Sequence, residues 1–264
     1  MARGKLFAGI DVGSATTKAV VIDDGGAVMG RAVLPSGMDF TGASQRALDQ
    51  ALAEAGATRD DIERVVSTGY GRRNVELADG TKTEITCHAR GAHFHFPEAI
   101  TVVDIGGQDN KIIKADADGN TVDFKMNRKC AAGTGAFLEE MARRLAVPIE
   151  EMEGLAREST EQVEIGSFCT VFSATEVLAL ARVGTAVPDI AKGAFRSVVK
   201  RIAEMDPLDG KVVATGGVVA HNPTVVELLA EAIGRKVHTP PEPQLCGAFG
   251  AALFARDDAS IQER

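Results

Sequence analysis

The sequence lacks a long apolar run. It contains no apolar stretch of about 18 residues, and the chain reaches a short apolar segment at Leu6 without the hydrophobic region of an export signal. A helix that crosses a bilayer needs about 20 apolar residues. We therefore expect a cytoplasmic protein with no membrane partner.

An excess of positive charge is also missing. The chain has 29 lysine and arginine residues against 37 aspartate and glutamate residues, and its formal net charge at pH 7 is -8. Nucleic acids and acidic membranes are bound by concentrated basic faces. This composition therefore excludes nonspecific binding to either, and we expect no nucleic-acid partner.

Cysteine is scarce. The four cysteines, Cys87, Cys130, Cys169 and Cys246, lie far apart in a chain of 264 residues. Disulfides are rare in proteins that remain in reducing compartments. A cysteine with a special role here is therefore expected to be a ligand or a nucleophile.

What the sequence does contain is an internal duplication. A short apolar segment ends in Asp11 and another ends in Asp104, and each aspartate is followed at the same offsets by a glycine and a lysine. Each lysine precedes a second apolar segment and an Asp-Gly turn, and an amphipathic helix pattern follows. Chance matching of two Asp-x-Gly turns is the weaker explanation. A chain of this length with this repeat predicts an α/β fold of two related lobes, residues 1–97 and 98–264, whose last helix could pack back on the first lobe.

The repeated turns are suited to a polyphosphate. Gly and Ser allow backbone N–H groups to approach phosphate oxygens, and the aspartates can hold Mg²⁺ through water. The sequence contains neither a P-loop nor a dinucleotide-binding fingerprint. The segments 9–18 and 103–111 instead resemble the first and second phosphate motifs of the actin, Hsp70 and sugar-kinase superfamily, which has a ribonuclease H-like fold. That resemblance implies ATP bound between two lobes.

A third glycine-rich segment, residues 212–222, has an apolar run, then Gly216-Gly217, then a helix pattern over residues 223–233. It is similar to the adenosine motif of the same superfamily. A lone Gly-Gly after a strand is usually a plain turn, but three motifs in this order favour a nucleotide site.

Two cysteines precede predicted helices. Cys130 lies just before a Gly-Thr-Gly turn and an amphipathic pattern. Ser173 has capping-box spacing with Glu176, which predicts a helix start there, four residues beyond Cys169. A helix N-terminus lowers the pKa of a thiol and stabilises a thiolate bound to metal. The residues alone nevertheless favour small buried core residues, and two thiolates cannot complete the four-thiolate shell of an iron-sulfur cluster.

A family resemblance changes that weighting. The segments DVGSATTK, STGYGR, DIGGQD, MNRKCAAGTGAFLE, CTVFSATEV and TGGV are similar, nearly end to end, to the ATP-dependent activators of 2-hydroxyacyl-CoA dehydratases and to the related ATPase subunits of benzoyl-CoA reductase. The resemblance implies a homodimer that shares one [4Fe-4S] cluster bound by Cys130 and Cys169 of each subunit. It also implies an electron acceptor that is a dehydratase or reductase, and a low-potential donor such as ferredoxin or flavodoxin.

The resemblance and the motif chemistry together give a predicted site for ATP and Mg²⁺. The candidate catalytic residues are Asp11, Asp104 and Gln108. The candidate phosphate contacts are Gly13, Ser14, Ala15, Thr16, Thr17, Lys18, Gly106, Gly107 and Gln108. The candidate residues on the nucleoside side are Gly133, Thr134, Gly135, Gly216, Gly217, Val218 and Gln244.

Other interpretations stay open. The segment from Cys87 to His95 contains three histidines and could suggest zinc, but its spacing fits no standard zinc module, and a structural role is favoured. A small-molecule kinase would use the same ATP fold, although the chain is short for a substrate-binding insertion and the cysteine segments would lack a role. An actin-like assembly protein is a third possibility.

Overall fold

The structure is a computed structural model, and it describes residues 4–127 and 129–262. Arg128, which belongs to the cysteine motif quoted above, lies outside the described residues. The chain divides into two compact units. The first contains the segment up to Glu98, the short segment Ala115–Thr121 and the segment from Leu245 onward, and the second contains Ala99–Lys114 and Val122–Gln244.

The first unit is built on a five-stranded sheet with the strand order β3-β2-β1-β4-β5. Strand β1 pairs antiparallel with β2 and parallel with β4. The elements of this unit before the chain enters the second one are β1 (Leu6–Val12), β2 (Thr16–Asp23), β3 (Val28–Pro35), α1 (Phe40–Ala55), β4 (Ile62–Thr68), β5 (Gly80–Thr81) and α2 (Glu84–His95).

The second unit has a five-stranded sheet with the order β10-β9-β6-β7-β8, and the parallel pair β6 and β9 lies at its centre. Helices α3, α6 and α8 contribute much of its apolar core. The remaining elements are β6 (Ile100–Ile105), β7 (Asn110–Ala115), β8 (Thr121–Asn127), α3 (Gly135–Leu145), α4 (Met152–Glu158), α5 (Thr170–Arg182), α6 (Val187–Met205), β9 (Lys211–Thr215), α7 (Gly217–His221), α8 (Pro223–Ile233), β10 (Val237–His238) and α9 (Cys246–Gln262).

The two sheets have the same topology. When the second order is written in reverse, β6 takes the place of β1, β7 that of β2, β8 that of β3, β9 that of β4 and β10 that of β5. The predicted α/β fold of two duplicated lobes is therefore confirmed.

Strand β1 is buried along its whole length. Such a strand must be covered on both faces, which explains why it is apolar without alternation. Helix α1 packs on one face of the sheet, against β1, β2 and β3. Helix α9 packs on the other face, against β1, β2 and β4. Helix α9 also lies close to α2, where a side chain at Gly250 would overlap the carbonyl oxygen of Cys87. The chain thus returns at its end to complete the first unit.

Local signals explain the helix boundaries. Helix α1 begins after Asp39, whose carboxylate accepts a hydrogen bond from Gly42 N, and it ends at Gly56, which has a left-handed conformation. Helix α8 begins with a proline at its first position, as the sequence predicted. Within the described part of the chain, no helix combines the length and the apolar composition that crossing a bilayer requires.

Candidate functional site

The first phosphate turn joins β1 to β2. Asp11 and Lys18 are directly opposite each other in this antiparallel pair, and Lys18 Nζ lies 3.1 Å from Asp11 Oδ2. The other carboxylate oxygen of Asp11, Oδ1, is buried and has no hydrogen-bond partner among the described residues. The hairpin therefore holds a buried carboxylate with one oxygen still able to accept a hydrogen bond.

The second phosphate turn repeats this arrangement between β6 and β7. Lys111 Nζ lies 3.1 Å from Asp104 Oδ2, the same separation as in the first pair. It also lies 2.7 Å from Asp109 Oδ1. The side chain of Lys111 is fully buried, whereas that of Lys18 is 14% exposed. The two lysines thus differ: Lys18 can reach a ligand at the surface, while Lys111 is enclosed by carboxylates.

The backbone of the second turn has a fixed direction. The carbonyl oxygens of Gly106 and Gly107 accept hydrogen bonds from Gly135 N at 2.9 Å and Ala136 N at 2.8 Å, at the start of α3. Because a trans peptide is planar, its N–H points away from its carbonyl oxygen. The amides of Gly107 and Gln108 therefore point away from α3, and two adjacent amides of this kind can donate hydrogen bonds to an anion.

The first turn is oriented in the same manner. Ser36 Oγ donates a hydrogen bond to the carbonyl oxygen of Gly13 at 2.7 Å, and Gly13 N donates to Thr16 O at 3.0 Å. The amide of Ser14, in the same peptide as the Gly13 carbonyl, therefore points away from Ser36. This predicted phosphate contact is available as a donor.

The third turn, between β9 and α7, requires glycine. Gly216 has φ +98°, and a side-chain carbon there would lie 2.6 Å from Asp104 Oδ1 and would overlap the Ile105 carbonyl oxygen. Gly216 N donates to the Pro243 carbonyl oxygen at 2.9 Å. The third motif is thus packed directly against the aspartate of the second turn.

Gln244 lies beside the third turn. A side-chain carbon at Gly217 would be 3.5 Å from Gln244 Nε2. His221 Nε2 lies 3.2 Å from Gln244 Oε1 and orients that amide. His221 was not among the residues predicted from the sequence, because a histidine at the end of a short helix carries no signal of a partner 23 residues away.

The remaining predicted residues divide into two groups. Gly107, Gly135 and Val218 come together, since a side-chain carbon at Gly135 would lie 3.2 Å from Gly107 Cα and 3.5 Å from Val218 Cγ2. Other predicted residues make internal contacts or face solvent. Thr17 Oγ1 lies 2.9 Å from Ser36 Oγ and Thr134 Oγ1 donates to Ala131 O at 2.6 Å, whereas Ala15 and Gln108 are exposed.

Cys130 lies in the loop between β8 and α3 and is partly exposed. Its sulfur accepts a hydrogen bond from Ala132 N at 3.4 Å and lies 3.9 Å from the carbonyl oxygen of Phe168. The loop that carries Cys130 therefore meets the residue immediately before Cys169.

Cys169 is the N-cap residue of α5. The predicted helix start at Ser173 was wrong, because α5 begins three residues earlier, at Thr170. Ser173 Oγ donates to the carbonyl oxygens of Gly166 and Cys169, and Glu176 accepts from Gly166 N at 2.6 Å. The capping-box residues thus anchor the segment before Cys169, which places this cysteine closer to the helix N-terminus than predicted.

The other two cysteines are buried. Burial raises the pKa of the Cys87 thiol to about 12, which keeps it protonated. Cys246 Sγ lies 3.6 Å from the carbonyl oxygen of His88. In α2, which contains His88, His93 Nε2 lies 2.9 Å from Ala117 O. The His95 ring of the same helix stacks on the Phe249 ring, with 5.3 Å between the ring centres. These separate contacts favour a structural role for the segment.

Helix α5 presents apolar side chains to solvent. Along this helix and its flanks, Phe168, Val171, Phe172, Leu178 and Val183 are exposed. Val171, Phe172 and Leu178 lie on one side of the helix, and Phe168 lies just before its N-cap residue. This apolar stripe begins next to Cys169.

The chain is similar to known proteins over nearly all of its length. Residues 8–255 match the model of the BadF/BadG/BcrA/BcrD ATPase family. It is 45% identical to the activator of lactoyl-CoA dehydratase from Anaerotignum propionicum over 95% of this chain and 97% of that one. It is 32% identical to one of the subunits of benzoyl-CoA reductase from Thauera aromatica over 80% of this chain and 77% of that one.

Solved structures give the same result. The activator of the 2-hydroxyisocaproyl-CoA dehydratase from Clostridium difficile, with bound ADPNP, superimposes with a TM-score of 0.91 at 39% identity, covering 98% of this chain and 97% of that one. A ROK family glucokinase from Streptomyces griseus has a TM-score of 0.59 at 14% identity, covering 96% and 99%, and shows a shared fold alone. The resemblance inferred from the six sequence segments is confirmed.

Proposed function

This chain belongs to the BadF/BadG/BcrA/BcrD ATPase family, and we propose on that premise that it uses ATP hydrolysis to deliver single low-potential electrons to a 2-hydroxyacyl-CoA dehydratase. The chain is an ATPase by family membership. The proposal concerns what the hydrolysis drives.

One observation carries the proposal, which is the connection between the second phosphate turn and the cysteine loops. The first amides of α3 bond to Gly106 and Gly107, and the loop before α3 carries Cys130. Cys130 in turn contacts the residue before Cys169. A change at the phosphate turn can thus alter the surroundings of both thiols through a few covalent and hydrogen bonds.

The two thiols fit a shared iron-sulfur cluster. Both are partly exposed and precede helices, and Cys130 receives an N–H hydrogen bond. A [4Fe-4S] cluster takes four thiolates, so two chains must each supply Cys130 and Cys169. The exposed apolar stripe of α5 offers a surface that a second copy of the chain can cover. When bound, the cluster supplies a one-electron carrier.

The phosphate turns provide groups for ATP hydrolysis. We assign Asp11 and Asp104 to Mg²⁺ and the positioning of water, and we assign the amides of Ser14, Gly107 and Gln108 to phosphate oxygens. Gln108 is exposed beside these amides and can orient the attacking water. A protein of this kind drives electron transfer only if its conformations differ in nucleotide affinity.

The partners follow from the chemistry. A dehydratase would accept the electron, and a ferredoxin or flavodoxin would supply it. All four cysteines are free thiols, which suits the reducing cytoplasm.

A second candidate is an ATPase subunit of a benzoyl-CoA-type reductase. The 32% identity to one subunit of such an enzyme supports it. The 45% identity to a dehydratase activator, over more of the chain, favours the dehydratase.

The test is anaerobic purification with iron and sulfide measured per dimer. We expect about four irons per dimer, because a [4Fe-4S] cluster shared by two chains is proposed. Cys130→Ser and Cys169→Ser should each abolish iron binding, while Cys246→Ala, which removes a buried thiol outside the proposed ligand set, should retain it. An iron-free parent from cells that assemble clusters would contradict the electron-transfer role and favour a small-molecule kinase, whose acceptor should then be phosphorylated as ADP forms.

A further inference from the structure

Asn110 is a buried polar residue to which no role has been assigned. It is the first residue of β7, directly after Asp109, and its side chain is fully buried. Asn110 Nδ2 donates a hydrogen bond of 2.8 Å to the carbonyl oxygen of Gly133. Gly133 lies three residues beyond Cys130. One side-chain bond therefore links the end of the phosphate turn to the cysteine loop.

The neighbours of Asn110 in the sequence contact a different group. Asp109 and Lys111 pair with each other, and Lys111 also pairs with Asp104. Successive side chains of a strand point to opposite faces. A shift of Asp109 and Lys111 on binding phosphate and Mg²⁺ therefore moves Asn110 on the opposite face.

Gly133 is held at the other end of this bond. It has φ +81°, and a side-chain carbon there would lie 2.8 Å from Arg201 Cβ and 3.3 Å from Asn110 Nδ2. Gly133 is thus packed between Arg201 of α6 and Asn110. Of the two ends of the Asn110 amide, only Nδ2 can donate to the Gly133 carbonyl. The positions of Nδ2 and Oδ1 are therefore determined.

The other end of the Asn110 amide is unsatisfied. Asn110 Oδ1 is buried and has no hydrogen-bond partner among the described residues. A buried acceptor without a donor costs free energy. A conformation of the Cys130 loop that brings a donor to this oxygen would be stabilised. The loop can therefore have a second conformation of low free energy.

We propose that Asn110 is a positioning residue that transmits the state of the nucleotide site to the Cys130 loop through its bond to Gly133. Its side-chain hydrogen bond goes to the Gly133 backbone and not to the sulfur of Cys130. The proposal rests on the proposed function, because it assumes that ATP binding and the cysteine loop are coupled.

A second asparagine provides a comparison. Asn127, at the end of β8, has Nδ2 3.3 Å from Cys130 O and 3.5 Å from Ala132 O. It holds the same loop, but it is not part of the phosphate turn. Asn127 should therefore stabilise the loop equally with and without nucleotide.

The test compares Asn110→Leu with Asn127→Leu in the full-length protein. Leucine is close to asparagine in size, and at position 110 it also removes the unsatisfied oxygen, so the fold should persist. Hydrogen–deuterium exchange of peptides from the Cys130 loop is measured with and without Mg²⁺ and a non-hydrolysable ATP analogue. In the parent, we expect nucleotide to change the exchange rate. In Asn110→Leu the ratio of the two rates should fall to one, with nucleotide binding retained, whereas Asn127→Leu should raise both rates and keep the parent ratio.

Coupling is reciprocal, so a second readout is available. Iron loading should change the affinity for nucleotide in the parent and leave it unchanged in Asn110→Leu. An Asn110→Leu protein that binds nucleotide and keeps the parent ratio of exchange rates would overturn the proposal, as would a parent whose loop exchange ignores nucleotide. A parent without iron would instead contradict the proposed function, and the exchange experiment would still decide the role of Asn110.

Discussion

Replacement of Lys111 by methionine should strongly destabilise the second unit. Lys111 is fully buried and lies within 3.1 Å of Asp104 and 2.7 Å of Asp109. Methionine keeps much of the side-chain length but removes the cation, so Asp104, itself almost fully buried, loses its opposite charge. Breaking a buried ion pair by removal of one partner costs about 3–5 kcal/mol. We expect a loss near the lower end, because Asp109 is 30% exposed and can be solvated.

The assay is equilibrium unfolding in urea followed by circular dichroism, which suits a chain without tryptophan. Arg143→Met is the matched control, because its pair with Glu140 lies at the surface of the same unit with the arginine 65% exposed. Such a pair is worth about 0.2–1 kcal/mol. Addition of Asp104→Asn to Lys111→Met removes the buried carboxylate charge and should restore part of the stability. A Lys111→Met protein as stable as the Arg143→Met protein would refute the reasoning.

Three further predictions concern glycine, cysteine and aspartate. Gly216→Ala should weaken nucleotide binding in calorimetry, because the new carbon would meet Asp104, whereas Gly210→Ala, which also has a positive φ of 75° but nothing within 4 Å, should leave affinity unchanged; equal affinities would contradict this. In iron-free protein at pH 8, iodoacetamide should label Cys130 and Cys169 and spare Cys87, whose pKa of about 12 leaves almost no thiolate; mass spectrometry of the labelled peptides tests this, and early labelling of Cys87 would disprove it. The Glu161 amide and the Ser159 hydroxyl hold the pKa of Asp189 below its usual value, so the stability it contributes is present at neutral pH and is lost as pH falls through that lowered pKa. The melting temperature of Asp189→Asn should therefore lie below the parent value at pH 7 and approach it below about pH 4, and a constant difference would argue against this role.

Much of the fold could be predicted because the sequence contains an internal duplication, so each half supports the interpretation of the other. The matched offsets from Asp11 to Lys18 and from Asp104 to Lys111 reflect two hairpins in which these residues pair at the same distance. Buried strands gave short continuous apolar runs and amphipathic helices gave periodic patterns, so the predicted segments were confirmed within a few residues. The prediction at Ser173 failed because a Ser-x-x-Glu spacing does not reveal whether its hydrogen bonds stay within the helix or reach an earlier loop.

The parts of the site that could not be predicted depend on contacts between distant segments. Asn110 begins an ordinary strand, and only the structure shows that it bonds to a carbonyl 23 residues later. His221 is similar, since its partner Gln244 is brought close by the path of the chain around β10. Composition and periodicity predict which face of a helix or strand is buried. They do not predict which polar atom of a distant segment will be the hydrogen-bond partner of a given side chain.

The placement of α9 has a consequence for biosynthesis. This helix covers one face of strands β1, β2 and β4, which are made before the second unit, yet it is itself made after the whole of that unit. The second unit can therefore complete its core while the earlier sheet still exposes an apolar face. Domains usually fold from the N-terminus as they emerge, but here the first unit is the last to be finished. We expect the nascent chain to need a chaperone until the segment from Cys246 has left the ribosome.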